Sequence, residues 1–246
     1  MSLAKSVGTI GGLTAISRVF GFARDMLMAR VVGAGLVADA FQLAFTLPNT
    51  FRRLFAEGAF SVAFVPMYSR ALHGAGDAAA GEEQANRFAN DVLSVFVWVL
   101  LAFSALAMIF MPALVWLLAD DFAKVPGKFD LAVFLSRITF PYLGFISLMA
   151  MLAGVLNARS RFGPAAFAPV LLNVFLITAI LTGNRLRGES GSDEVVGLAL
   201  AIAVALSGLA QFLYLWWETR KAGVRLAISA PRLTPEVRQL GKLILP

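Results

Sequence analysis

The sequence predicts an all-α membrane protein, on three observations. Hydrophobic residues make up 59% of the 246 and charged residues only 15%, with a mean hydropathy of +0.78, far outside the range of a soluble domain of this size. Apolar stretches of the ~20 residues that a helix needs to cross a hydrocarbon core recur six times. Lysine and arginine are unevenly shared between alternate connections, as the loops of a polytopic protein share them.

Taken in order, the first segment runs from about Gly8 to Val32. It lacks the short apolar core and small-residue cleavage site of a signal peptide, so it is expected to remain as a helix. Gly33 and Gly35 supply a tight turn into the second segment, Val37 to Leu72, which is too long to cross straight. Pro48 removes one backbone donor there and favours a bend, either fixed or a pivot, and the part beyond Pro66 is expected to run out along the surface. The remaining segments are Asn90 to Ala119, Phe129 to Asn157, Pro164 to Gly183 and Val195 to Trp217, with kinks expected at Pro112, Pro141 and Pro169. Trp216 and Trp217 precede Arg220 and Lys221, as in an aromatic belt at an interface. A further apolar segment starts at Leu240. Residues 1–222 are therefore read as a six-helix lobe and 223–246 as a basic linker leading into a seventh helix.

The richer set of connections and helix ends holds Lys5, Arg70, Arg87, Arg159, Arg161, Arg220, Lys221, Arg225, Arg232, Arg238 and Lys242; the other holds Arg30, Lys124, Lys128, Arg185 and Arg187. The positive-inside rule makes the richer side cytoplasmic and places the N-terminus inside. It also accounts for the net charge of +6, so no nucleic-acid partner is expected. Asp120, Asp121, Asp130, Glu189, Asp193 and Glu194 then read as solvated residues in or beside outer loops. With no cysteine and His73 as the only histidine, disulfides, thiolate chemistry and His/Cys metal clusters are excluded, while a carboxylate-only site is not. No phosphate-binding glycine loop, nucleophile with its base or ATP-hydrolysing signature is present. The expectation is a transporter, not an enzyme.

Charge inside the apolar segments is the functional signal. Arg18 and Arg24 interrupt the first segment, and Arg52 and Arg53 the second. At roughly 2.5–3.5 kcal/mol each, four lipid-facing arginines would cost on the order of 10 kcal/mol, so they are expected to face something wet or anionic. On a helix, Thr14, Ser17, Arg18, Gly21, Arg24 and Asp25 fall within an arc of roughly 120°. Ile16, Val19, Phe20, Ala23, Met26 and Leu27 occupy the rest. The competing reading is a structural ion pair, but Asp25 alone cannot neutralise two arginines. On the second segment Asn49, Arg52, Arg53, Glu57 and Ser61 spread over a broader arc. Arg53 and Glu57 stand four apart and can pair, which leaves Arg52 as the freer charge. Arg137 can snorkel or face a cavity, and Asn157 and Asn173 read as polar contacts between helices.

Four strings carry a family resemblance: SRVFGFARD (Ser17 to Asp25), DAFQLAFTLPNTFRRLFAEGAFSVAFVP (Asp39 to Pro66), ITFPYLGFISL (Ile138 to Leu148) and LNARSRFGPAAFAPVLLNV (Leu156 to Val174). They closely resemble the MurJ/MviN family of bacterial lipid II flippases, within the multidrug/oligosaccharidyl-lipid/polysaccharide exporter (MOP) superfamily. The resemblance implies two six-helix lobes followed by two further helices, in the bacterial cytoplasmic (inner) membrane. Its implied activity moves lipid II, an undecaprenyl-diphosphate-linked peptidoglycan precursor, to the outer leaflet. By motif, Arg18, Arg24 and Arg52 would contact or attract the diphosphate, with Arg53 and Asn49 as further candidates. Asp25, Asp39, Glu57 and Pro48 would serve pairing or gating. Thr46 stands where some relatives carry a lysine. The chain corresponds to the first lobe, the linker and the start of the seventh helix, so a second lobe is the expected partner. No cofactor is expected in this half; a coupling ion, sodium or proton, or the membrane potential would drive transport. The alternatives are another exporter of the superfamily, a polysaccharide-repeat translocase or drug/cation antiporter, or a non-transporting membrane scaffold.

Overall fold

Without water to satisfy them, backbone groups in an apolar stretch this long are best paired within a helix. The computed structural model describes residues 3–53, 59–74, 76–188 and 191–244, and its regular elements there are all helical. They are α1 (Leu3–Val31), α2 (Leu36–Arg52), α3 (Ala59–His73), α4 (Ala78–Ile109), α5 (Met111–Leu118), α6 (Lys128–Thr139), α7 (Tyr142–Ala158), α8 (Gly163–Arg187), α9 (Glu194–Lys221) and α10 (Pro235–Ile244). The six predicted segments appear as α1, α2 with α3, α4 with α5, α6 with α7, α8 and α9. Among the described residues, the stretches Ala78–Ile109, Lys128–Ala158, Gly163–Arg187 and Glu194–Lys221 are long and apolar enough to cross a membrane.

Short connections make successive segments antiparallel, so the loops collect at two ends. The richly basic connections share one end, here the basic end. The turn at Gly33, whose φ is +66°, lies at the opposite end with the 3-10 helix Asp120–Lys124 and the loop before α9. Two hydrophobic cores are stacked between these ends. The one toward the turn joins Phe41, Leu47, Met111, Leu135, Phe140, Ile180 and Val204; the one toward the basic end joins Phe64, Tyr68, Leu93, Leu152, Leu156 and Leu215. Gly197 and Gly208 let α9 approach closely: an added Cβ would stand 2.8 Å from Val37 and 2.6 Å from Tyr142, the small-residue packing expected between membrane helices.

The prolines behave differently from one another. α2 runs unbroken through Pro48, which is buried. The missing N–H would have served Ala44 O, and the buried Thr139 hydroxyl donates to that carbonyl instead at 2.7 Å. Pro112 likewise frees Met108 O, and Arg137 Nε donates to it at 3.1 Å. This is a contact of Arg137 within the lobe that its position in the sequence did not indicate. Helix boundaries fall beside Pro112 and Pro141 as expected, whereas α8 continues through Pro169. The part beyond Pro66 does not run out along the surface. α3 stays in the bundle because Phe64 and Tyr68, both fully buried, stack in the second core.

α4 starts at Ala78, not Asn90, because the Asp77 side chain caps it, accepting from Ala80 N at 3.4 Å, and Gly81, Ala85 and Phe88 bury an amphipathic face. Beyond α9 the chain folds back as an extended strap. Asn90 holds it at two points, donating to Arg225 O at 3.2 Å and accepting from Ala227 N at 2.7 Å, and Ser94 accepts from Ser229 N at 3.1 Å. α10 begins at Pro235, ahead of the expected Leu240. Thr234 precedes it as a cap, and Val237 and Leu240 are buried in the core shared with α3 and α4.

Candidate functional site

The arginine-bearing helices stand on separate walls. α1 packs chiefly on α8, α2 on α6, α7 and α9, and beyond their connecting turn α1 and α2 share no substantial interface. On α1, Ser17, Gly21, Arg24 and Met28 recur at helical spacing as the half-buried seam facing α8. Arg24 Nη1 donates to Asn173 Oδ1 at 3.0 Å, while Nε and Nη2 donate to Asp25 Oδ1 at 2.9 and 2.7 Å. Asn173 Nδ2 in turn donates to Ser17 O at 3.2 Å.

The polar arc is therefore not uniformly open. Ser17, Gly21 and Arg24 sit in the seam, while Thr14, Arg18 and Asp25 beside it are exposed. The apolar residues Val19, Phe22 and Met26 are exposed as well, because α8 covers only one side of α1. The ion-pair reading holds for Arg24, which Asp25 partners. It leaves Arg18 with no hydrogen-bond or ion-pair partner among the described residues.

On α2, Asn49 turns its amide back to its own helix, donating to Phe45 O at 2.7 Å. Arg52 is half-buried and not without a partner, whereas Arg53 is exposed and has no ion pair among the described residues. Arg52 lies one turn beyond the buried Pro48 and shares its inward face. Glu57, the expected partner of Arg53, lies outside the described residues. Asp39 pairs with neither arginine. Thirteen residues of helix separate it from Arg52, about 20 Å, and it accepts from Lys128 Nζ at 2.5 Å on α6 instead. The Lys128 ammonium also lies 4.3 Å from the Phe122 ring, so the pair clamps the turn end of the lobe.

Two other acids of that end are likewise locally engaged: Arg187 pairs with Asp193, and the Lys124 ammonium hydrogen-bonded to Asp121 holds its carboxyl below the usual range. A cavity of about 550 Å³ between α3, α4 and α10 is lined by Arg70 and Arg87 but also by Asp91 and Glu236, so it is not distinctly cationic. No group of three or more His, Asp or Glu able to hold a metal ion occurs among the described residues.

One important residue had no distinguishing signal in the sequence. Arg159, read there only as a loop charge, donates to Tyr68 Oη at 3.0 Å, Glu82 Oε1 at 3.1 Å, Glu82 Oε2 at 2.5 Å and Ala222 O at 3.2 Å. It ties α3, α4, α7 and α9 together at the basic end. Its partners lie 63 to 91 positions away, beyond the reach of local spacing.

Antiparallel membrane-length helices, with arginines on two walls that do not close on each other, define a polytopic all-α membrane protein. The family model described as lipid II flippase MurJ matches residues 28–246, and the chain belongs to that family. It is 46% identical to a probable lipid II flippase MurJ of Rhizobium meliloti (strain 1021), over 100% of this chain and 45% of that protein. It is 39% identical to the lipid II flippase MurJ of Burkholderia cenocepacia, over 87% of this chain and 39% of that protein. Among solved structures, the lipid II flippase MurJ in an inward closed conformation superposes with a TM-score of 0.67 at 25% identity, over 96% of this chain and 46% of that one. The chain thus spans about half the length of the curated relatives it matches.

Proposed function

We propose that this chain supplies the N-terminal lobe of a lipid II flippase of the bacterial inner membrane, with its basic end and N-terminus in the cytoplasm. The observation that carries the reading is the exposed Arg18, lacking a partner among the described residues, beside the Arg24–Asp25–Asn173 cluster on a membrane-length helix. A diphosphate headgroup is the natural counter-charge. Guanidinium forks bind phosphate oxygens bidentately, and Arg24 commits three N–H groups to Asp25 and Asn173 out of the five an arginine carries. Arg18, Arg24, Arg52 and Arg53 would draw the headgroup between the two lobes. Rocking of the lobes would then open the site outward, without an ATP site in the chain. The membrane potential, worth ~2.3 kcal/mol per charge per 100 mV, or a coupling sodium or proton would drive that motion.

A drug/cation exporter would present acidic and aromatic groups to its cavity, unlike these walls. A polysaccharide-repeat translocase shares the diphosphate chemistry and is separated by its substrate. A scaffold would have its cations fully paired, which Arg18 opposes. The test places Arg24→Ala and Arg52→Ala in the full-length parent, in cells depleted of their own flippase. Both are expected to abolish growth support at normal protein level, and Arg24→Lys to retain part of it. Full complementation by both alanine variants would sink the headgroup role.

A further inference from the structure

We propose that Asn173 is a positioning residue for Arg24, setting both the direction of its guanidinium and the rotation of α1 on α8. The inference rests on the reading of Arg24 as a cation that meets the substrate. Among the described residues of α8, Asn173 is the buried polar one, with 6% of its surface exposed. A primary amide in that setting is costly unless both its ends are used. Both are used on the same neighbour: Oδ1 accepts from Arg24 Nη1 and Nδ2 donates to Ser17 O.

The two contact points lie seven residues apart, two turns of α1 on one face, so together they resist rotation of the helix and not merely its separation. Gly21 lies between them. A Cβ built there would sit 3.8 and 3.9 Å from the Asn173 amide atoms, ordinary contact, so alanine fits and a branched side chain would extend from a point already touching the amide. A neutral amide has a further consequence. It orients the guanidinium without adding a second negative charge to that of Asp25, as a carboxylate at the same place would do. Arginine carries large rotamer freedom, and holding it in advance lowers the cost of meeting an anion.

The experiment uses the full-length parent in lipid nanodiscs and undecaprenyl diphosphate as probe. It compares Asn173→Leu, Asn173→Asp, Gly21→Leu, Gly21→Ala and Arg24→Ala. Two quantities are read: binding of the probe, and the rate at which phenylglyoxal modifies Arg24 relative to Arg18, by peptide mass spectrometry. Asn173→Leu is expected to weaken binding about tenfold, the loss typical of one hydrogen bond to a charged group, and to speed modification of Arg24 severalfold with Arg18 unchanged. Gly21→Leu should reproduce both effects by displacing the amide, which keeps the test open if Asn173→Leu fails to fold. Asn173→Asp should weaken binding while slowing modification, and Gly21→Ala should behave as wild type. Wild-type binding and wild-type Arg24 reactivity in both leucine variants, with binding lost in Arg24→Ala, overturns the positioning role alone. Wild-type binding by Arg24→Ala overturns the function proposed above and this inference with it.

Discussion

A proline inside a membrane helix leaves a carbonyl that lipid cannot satisfy, and two such carbonyls are repaired from the same short helix. Thr139 serves Ala44 O, freed by Pro48, and Arg137 serves Met108 O, freed by Pro112. Pro48 was legible in the sequence as a bend or a pivot; the hydroxyl that holds it was not, because Thr139 is 95 positions from Ala44. Thr139→Val keeps the shape, removes the donor and strands a buried acceptor, so it should cost about 1–3 kcal/mol. Thermal unfolding in detergent checks this, with Thr139→Ser close to wild type. Adding Pro48→Ala, which restores a backbone donor to Ala44 O, should return part of the loss in a double-mutant cycle. A silent Thr139→Val would mean that the carbonyl is satisfied in another way.

Helices α4 and α10 show how an element acquires a role through its surface. Glu82, Asn90 and Ser94 recur along α4 at multiples of four, and each reaches a distant partner: Arg159, the strap at Arg225 and Ala227, and Ser229. The polar spacing was present in the sequence, but spacing along one helix does not name the partner each side chain meets. Only the fold brings residues 135 positions away against it. The strap should therefore be ordered in the lobe. In hydrogen exchange of the full-length protein, Asn90→Leu is expected to raise exchange at Ala227 and Ser229 by about tenfold. Amides within α9 should be unaffected. Unchanged protection of the strap would show that α10 packing alone holds it down.

At the scale of the whole molecule, alternation of long apolar segments sorts charge between two ends. The basic end gathers Arg70, Arg87, Arg159, Arg161, Arg220, Lys221 and Arg225, and α9 enters it with Lys221 Nζ 3.1 Å from the Trp217 ring. The opposite end pairs Lys128, Lys124 and Arg187 with Asp39, Asp121 and Asp193. The orientation proposed from this asymmetry is open to single-cysteine labelling, since the chain contains no cysteine of its own. In intact cells, Lys124→Cys should react with a membrane-impermeant thiol reagent and Arg161→Cys should not. Labelling of Arg161→Cys alone would invert the topology.

By itself the sequence determined the apolar segments, their order, the end asymmetry and the arginines within those segments. These follow from local quantities, the length and apolarity of each stretch and the cost of charge within it. It also marked Gly33 and the breaks beside Pro112 and Pro141, where one residue's backbone chemistry decides. The tertiary structure decided which charges are engaged. Asp39 went to Lys128 instead of to Arg52 or Arg53, Arg52 turned inward beneath Pro48, and Asp25 and Asn173 took Arg24 while Arg18 stayed exposed. Helical spacing sets the direction of a side chain only relative to its own axis. The neighbour it meets depends on which helices pack and at what rotation, and that is settled by contacts between residues far apart in the chain.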